Sequence, residues 1–307
     1  MADKIFLTYE EQIAKLKEKN LVIENEEYAI SMLKKLSYFN LINGYKKPFK
    51  EADGKYKAGT RFEDIMSLYR FDDKLRNIFL NNILIVEIHM KSLISYHFCD
   101  EYGACQEEYL NPSNYNPQPQ YAEQISELVS ALDEILKNPD KVRYIKHQQS
   151  QHSNVPLWVL VKALTFGNMS KLFSSQKDSI KSRISREIPV LRENQIESML
   201  DILTRYRNVC AHNERLFDFK YQRKKVRSTN IHKYYRLAEK DYVPTNLFDI
   251  VIFMKYLLSE DDFNKFVYEI GQAINELIMA TNQIEQNKLL RLMGFPSNWL
   301  NINNLYK

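Results

Sequence analysis

From residue 62 to residue 102 the chain contains neither glycine nor proline. Ile65, Leu68, Leu75, Ile78 and Phe79 recur through this stretch at the spacing of one helix face. So long a run without a breaker reads as one very long helix, or two joined by a kink, and it dictates the class of fold. The rest of the chain agrees. Seven glycines and nine prolines among 307 residues leave few places for turns, so the expected fold is all-α. The length allows a sizeable core and one or two domains.

Other segments add helices. "TYEEQIAKLKEKN" carries Thr8 as N-cap and Glu11 three residues on, the pattern of a reciprocal helix cap. A second helix is expected over about 25–39, with a break at Gly44 and Pro48. Residues 1–60 thus read as a small N-terminal helical module, and 61–307 as the main helical domain. "CQEEYLNPSNYNPQPQY" is rich in Asn, Gln and Pro and reads as a surface loop. Ile125, Leu128, Val129, Leu132, Ile135 and Leu136 mark one face of the next helix. "NVPLWVLVKALTFGNMSKLF" suggests a helix capped by Asn154, with Pro156 in its first turn and an interruption at Gly167. A helix at about 194–212 turns Ile196, Met199, Leu200, Leu203 and Cys210 inward. Two more are expected over 245–258 and 260–292, the last capped by Ser259 and ended by Gly294-Phe295-Pro296.

No apolar leader follows the first residues and no long window is free of charge, so neither a secretory signal nor a membrane span is expected. Cys99, Cys105 and Cys210 lack metal-ligand spacing and read as reduced thiols of a cytoplasmic protein.

The net charge of +4 hides an uneven distribution. Between residues 220 and 240 stand Lys220, Arg223, Lys224, Lys225, Arg227, Lys233, Arg236 and Lys240, against a single acid, Glu239. The remainder of the chain is therefore net acidic. Tyr221, Tyr234 and Tyr235 are interleaved with these cations. Cations neutralise phosphates and aromatic rings stack on bases, so the mixture suits RNA. It equally describes a solvated basic loop.

Just before this tract lies "RYRNVCAHNERLF", Arg205 to Phe217. RNA can be cut without metal when its own 2′-hydroxyl attacks the phosphorus. That reaction needs a proton carrier and a cation to steady the phosphate. Histidine supplies the first and arginine the second. Arg207, Asn208 and His212 are the candidate set. Asn208 and His212 share a helix face at i, i+4, and Arg205 joins that face. Arg207 sits about 140° away, at ~100° per residue, so it meets His212 only if the helix end distorts or a second subunit contributes. The same three residues would also serve as an ordinary helix end complementing the dipole. The spacing is cheap: Arg227 and His232 repeat it inside the basic tract.

Other chemistries find less support. His89 and His97 lie eight apart with no carboxylate cluster, and His147 and His152 lie in a polar stretch. No HExxH, paired-cysteine, glycine-rich phosphate or GxSxG motif occurs, so no metal or cofactor is expected. Glu87 reads as a satisfied carboxylate of the core or of an interface.

Taken in order, "YEEQIAKLKEKNLVI", "LSYFNLINGYKKPF", "LYRFDDKLRNIF", "PLWVLVKALTFGNMSKLF", "RNVCAHNERLF" and "LMGFPSNW" resemble the Abi-like proteins of bacterial abortive-infection systems, the AbiD/AbiF group. That group is similar to the HEPN superfamily of helical ribonucleases. The resemblance implies a HEPN-like helical bundle over 61–307, with the basic tract inserted at about 215–240. It implies an Arg-x(4–6)-His motif that cuts RNA without metal, carried here by Arg207, Asn208 and His212. It further implies association with a small structured noncoding RNA, a separate target RNA, and pairing of two motifs in a homodimer. The expected function is phage defence by RNA cleavage, with tract 220–236 gripping the RNA backbone. A non-catalytic scaffold for a structured RNA is the first alternative, and a helical protein-binding adaptor the second.

Overall fold

The computed structural model describes residues 5–188, 190–226, 228–237 and 243–306, and only the backbone of 223–226 and 243–244. Thr8 opens the first helix as its sequence predicts. Its hydroxyl accepts the Glu11 amide at 3.3 Å, and the Glu11 carboxylate accepts the Thr8 amide at 2.7 Å. Two of the N–H groups that a helix start leaves free are thereby satisfied. Helix α1 (Tyr9–Glu18) packs Ile13 and Leu16 beside α2 (Glu26–Leu36), which Asn25 caps. The expected break comes next, as a wide helical turn at Phe39–Asn43 and a tight one at Lys47–Phe49. Residues 5–60 are tied to the long helix that begins at Phe62: the Phe62 amide bonds to the Val22 carbonyl at 2.9 Å, and Tyr28 meets Phe62 edge to face.

Helix α3 (Phe62–Tyr102) is one unbroken helix of 41 residues, about 60 Å long at ~1.5 Å per residue. By length and composition alone it could cross a membrane, but 56% of its most apolar window is buried within the protein, as in a core helix. Among its buried charges, Glu87 and Lys91 satisfy each other: Lys91 Nζ lies 2.6 Å from Glu87 and 2.6 Å from the Leu164 carbonyl.

The segment expected as a surface loop is packed instead. It holds α4 (Gln106–Leu110) and two fully buried tyrosines. Tyr109 donates to the Val155 carbonyl and Tyr115 to the Tyr109 carbonyl, each at 2.6 Å. The polar composition hides two rings that bury their bodies and pair their hydroxyls. Then come α5 (Ala122–Lys137), α6 (Arg143–Gln151) and the single turn α7 (Leu157–Leu160). Asn154 does not cap α7. It bridges to Gln106 and Ala104, and Pro156 takes the cap position. Nor does Gly167 break the chain. The break falls at Leu164–Thr165, and Thr165 caps α8 (Phe166–Ser174). Gly167 lies inside α8, where a Cβ would sit 3.4 Å from the Thr204 side chain of α10.

Helices α9 (Asp178–Glu187) and α10 (Glu193–Ala211) come next. The basic tract is not a plain loop. It forms β1 (Tyr221–Val226) and the short α11 (Asn230–Tyr234), and β1 pairs antiparallel with β2 (Val243–Thr245), Tyr221 opposite Thr245. Every residue of α12 (Leu247–Leu257) is buried. Ser259 caps α13 (Glu260–Ala280) as expected, but the helix stops at Thr281, and α14 (Gln286–Met293) is separate. Gly294 ends α14 at φ +78, and any Cβ there would lie 2.3 Å from Asn246, the cap of α12. The architecture is all-α with one small ribbon: α7, α8, α9, α10 and α13 pack along α3, and β1 lies against α10.

Candidate functional site

The candidate residues sit at the end of α10, and that end is fixed from three directions. Ile196, Met199, Leu200, Leu203, Tyr206 and Cys210 are buried, as their spacing predicts, so the helix cannot rotate without exposing them. Burial pushes the Cys210 thiol up to about 12, which removes it as a nucleophile near neutral pH. The Tyr206 hydroxyl donates to the Thr245 carbonyl at 3.1 Å, fastening α10 to the ribbon.

The helix stops at a defined residue. His212 is its C-cap, and its amide still bonds to the Asn208 carbonyl at 2.9 Å. Asn213 then takes a left-handed conformation, φ +54. Its amide reaches the Cys210 carbonyl at 3.3 Å, and the Glu214 amide reaches Val209 at 3.0 Å. These are the two bonds of a Schellman turn, with asparagine where glycine is usual.

Beyond the turn the chain is captured by α3. The Leu216 amide donates to the Asp72 carboxylate at 3.1 Å and the Phe217 amide at 2.7 Å. Asp72 also accepts the Tyr45 hydroxyl at 2.7 Å and Arg76 at 2.8 Å. Burial raises the Asp72 carboxyl above its ordinary value, with Arg76 and the Tyr45 hydroxyl pulling the other way. All four contacts are donors, so the pocket is built for the carboxylate, and Asp72 in turn holds Arg76 protonated against its burial. Arg215 donates to the Gly44 carbonyl and to Asp218, each at 2.6 Å. Three distant stretches, at 44–45, 72–76 and 215–218, therefore meet to fix the exit from the motif. Sequence reading passes over Asp72, Arg76 and Tyr45. The available signal is an Asp and an Arg at i, i+4 on an otherwise apolar helix face.

The helix remains regular through Ala211. His212 is exposed, and neither its ring nor the half-buried Asn208 amide has a hydrogen-bond partner among the described residues. Arg207 is half-buried, and its Nε is buried without a partner. Because the helix does not distort, Arg207 keeps its turn of about 140° from His212. Arg205, seven residues before His212, falls within about 20° of its face. Arg205 pairs with Glu214 at 3.4 Å and lies 5.7 Å from the centre of the Phe219 ring.

Of the basic tract, Lys220, Lys233 and Arg236 are exposed. The side chains of Arg223, Lys224 and Lys225, and the whole of Arg227, lie outside the described residues. Tyr234 is exposed, whereas Tyr235 is a core residue donating to the Trp299 carbonyl at 3.1 Å. His232 is buried and bonded within the fold, so the repeated spacing at 227–232 ends in a structural histidine. Among the described residues no group of three or more His, Cys, Asp or Glu side chains is placed to hold a metal ion.

Comparison with curated proteins and with solved structures finds no match. Comparison with protein families does. The model described as "Abi-like protein" matches residues 31–218. That span begins in α2 and ends at Asp218, taking in Tyr45, Asp72, Arg76 and all of Arg207–His212. It covers more than half of the 307 residues. The chain belongs to the Abi-like protein family, whose role is in bacterial abortive infection.

Proposed function

We propose that the protein defends against phage as a HEPN-type endoribonuclease that cuts RNA without metal. The 2′-hydroxyl of the RNA attacks the adjacent phosphorus, the bond to the 5′-oxygen breaks, and a 2′,3′-cyclic phosphate remains. His212 carries the proton, Arg207 holds the phosphate oxygens and Asn208 positions them. The observation that carries the reading is the state of the helix end. A histidine and an amide stand without a partner among the described residues, on a terminus that the Schellman turn and Asp72 make rigid. Polar side chains at an ordinary helix end gain by pairing with nearby groups, as Arg205 does with Glu214.

The 140° between Arg207 and His212 makes one copy incomplete. In-line attack takes a proton on one side of the phosphorus and delivers one on the other. Two copies related by a two-fold axis would place a His and an Arg on both sides. The competent form is therefore a homodimer with the ends of α10 near its axis. A structured noncoding RNA bound along the basic tract would control its assembly.

The test is cleavage of RNA by the purified protein with and without EDTA, with end-group analysis of the products. Cleavage that persists in EDTA and leaves a cyclic phosphate is expected. A strict Mg²⁺ or Mn²⁺ requirement would overturn the mechanism. Mixing Arg207→Ala with His212→Ala protein should restore part of the activity if each site draws on two copies. The half-burial of Arg207 favours a second reading, a scaffold that binds structured RNA without cutting it. In that case RNA copurifies and no cleavage appears under any condition.

A further inference from the structure

At the opposite end of α10 lies a cavity of about 540 Å³ that plays no part in the chemistry above. Nineteen residues of helix separate it from His212, about 28 Å at ~1.5 Å per residue. Its walls are the first turn of α10 and the Ser228–Lys233 stretch that carries α11. Arg192 and Lys233 both line it, both are exposed, and neither pairs with a carboxylate among the described residues. No carboxylate is found among its described lining residues.

Two further features aim at an anion. At the start of helix α10 the Gln195 side chain accepts the Arg192 amide at 3.0 Å, while no described side chain accepts the Glu193 or Asn194 amide, so the positive end of a long helix opens into the cavity. Tyr256 lines the same space. It is 2% exposed, and its hydroxyl is buried without a hydrogen-bond partner. The Thr229 side chain and the Ile231 backbone lie beside that hydroxyl. A ligand oxygen entering the cavity could bond to that buried hydroxyl. The Asn194 and Asn230 amides, both exposed and without a partner among the described residues, add paired donors and acceptors of the kind that read base edges. The volume is that of a small-ligand site.

We propose that this cavity binds a nucleotide through a terminal phosphate monoester. The phosphate sits between Arg192, Lys233 and the start of α10, and Asn194 and Asn230 face the base. The nucleotide is either free or the phosphorylated end of an RNA strand. The site goes beyond the cleavage reading, since it needs neither His212 nor a dimer.

The experiment is calorimetric titration of His212→Ala protein, in which RNA survives whether or not the wild type cuts it. The probes are inorganic phosphate, nucleoside 5′-monophosphates, and one short RNA in 5′-phosphorylated and 5′-hydroxyl forms. Binding of the monophosphates identifies a free nucleotide. A gain confined to the phosphorylated RNA identifies a strand end. Arg192→Ala and Lys233→Ala should each weaken that binding about ten- to hundredfold, and Tyr256→Phe, which keeps the ring and the fold, should weaken it by a smaller factor. No preference for a phosphorylated probe overturns the proposal. So does binding of inorganic phosphate with no gain from the nucleoside, or affinity unchanged in a folded Arg192→Ala, Lys233→Ala double variant.

Discussion

The chain spells Arg-x-x-x-x-His twice, at 207–212 and 227–232, and the two histidines stand in opposite surroundings. His212 is exposed at a locked helix end, with no partner among the described residues. His232 is 3% exposed. Its Nδ1 accepts the Thr229 amide at 3.1 Å and lies 2.8 Å from the Thr229 hydroxyl. The proton therefore belongs on Nε2, which lies 3.4 Å from Asp249. His232 is consumed by the fold, capping α11 and joining it to α12. Identical spacing thus yields one histidine that can meet a substrate and one that cannot, and what separates them is the burial of the helix around each.

The contrast predicts an exchange of phenotypes. His212→Ala should lower RNA cleavage by about 10²–10⁴-fold while shifting stability by no more than ~0.5 kcal/mol. His232→Ala should lower stability by about 2–4 kcal/mol, because it empties a buried site and strands the Thr229 amide. Urea unfolding and a cleavage assay on both proteins measure the two effects. Equal losses of stability would make His212 as structural as His232 and leave the motif without a catalytic role.

The support under His212 is the next place to press. Asp72→Ala leaves Arg76 buried with only Asp73 and the Tyr45 oxygen as partners, and frees the amides of Leu216 and Phe217. Breaking a buried pair from one side costs about 3–5 kcal/mol. The loss should fall first on the 212–218 turn, seen as faster hydrogen exchange at Leu216 and Phe217, while Thr229 and His232 keep their protection. A uniform loss over both regions would show that Asp72 serves the whole core and has no special tie to the motif.

Much of this is legible in the sequence. Apolar periodicity without Gly or Pro marks α3 as one long helix or two joined by a kink, and the Thr8, Glu11 and Ser259 signals mark two helix starts. The inward face of α10 and the placement of Arg207, Asn208 and His212 at its end also come from spacing. The features that sequence does not reveal depend on partners far away in the chain. Asp72 meets Leu216 across 144 residues, and no local pattern announces that meeting. Tyr109 and Tyr115 lie in a stretch whose average composition is that of a loop, though their rings are core. Gly167 reads as a breaker because its sequence shows only the missing side chain, while the helix runs through it and starts instead at the Thr165 cap. The ribbon of β1 and β2 is hidden because cations dominate β1, and its pairing comes from a short strand about twenty residues later.

The smallest expected effect concerns the tract that joins the two histidines. Its backbone runs as β1 against α10, beginning just past the motif, and Lys220, Lys233 and Arg236 are exposed along it. A track of this kind should contact phosphates without reading bases, because its recurrent chemistry is positive charge. Each phosphate contact adds roughly 0.7–0.9 to the slope of log affinity against log salt. Reversing Lys224 and Lys225 should therefore flatten that slope by up to roughly twice this amount, or about threefold in affinity per contact between 50 and 200 mM salt. The loss should be the same for RNAs of different sequence. Lys137→Glu, on α5 and outside the tract, is the control for net charge alone and should leave the slope in place. Fluorescence anisotropy with a labelled RNA over a salt series reads both. If the slope stays unchanged in the Lys224→Glu, Lys225→Glu protein, the tract merely covers α10, and RNA reaches His212 by another face.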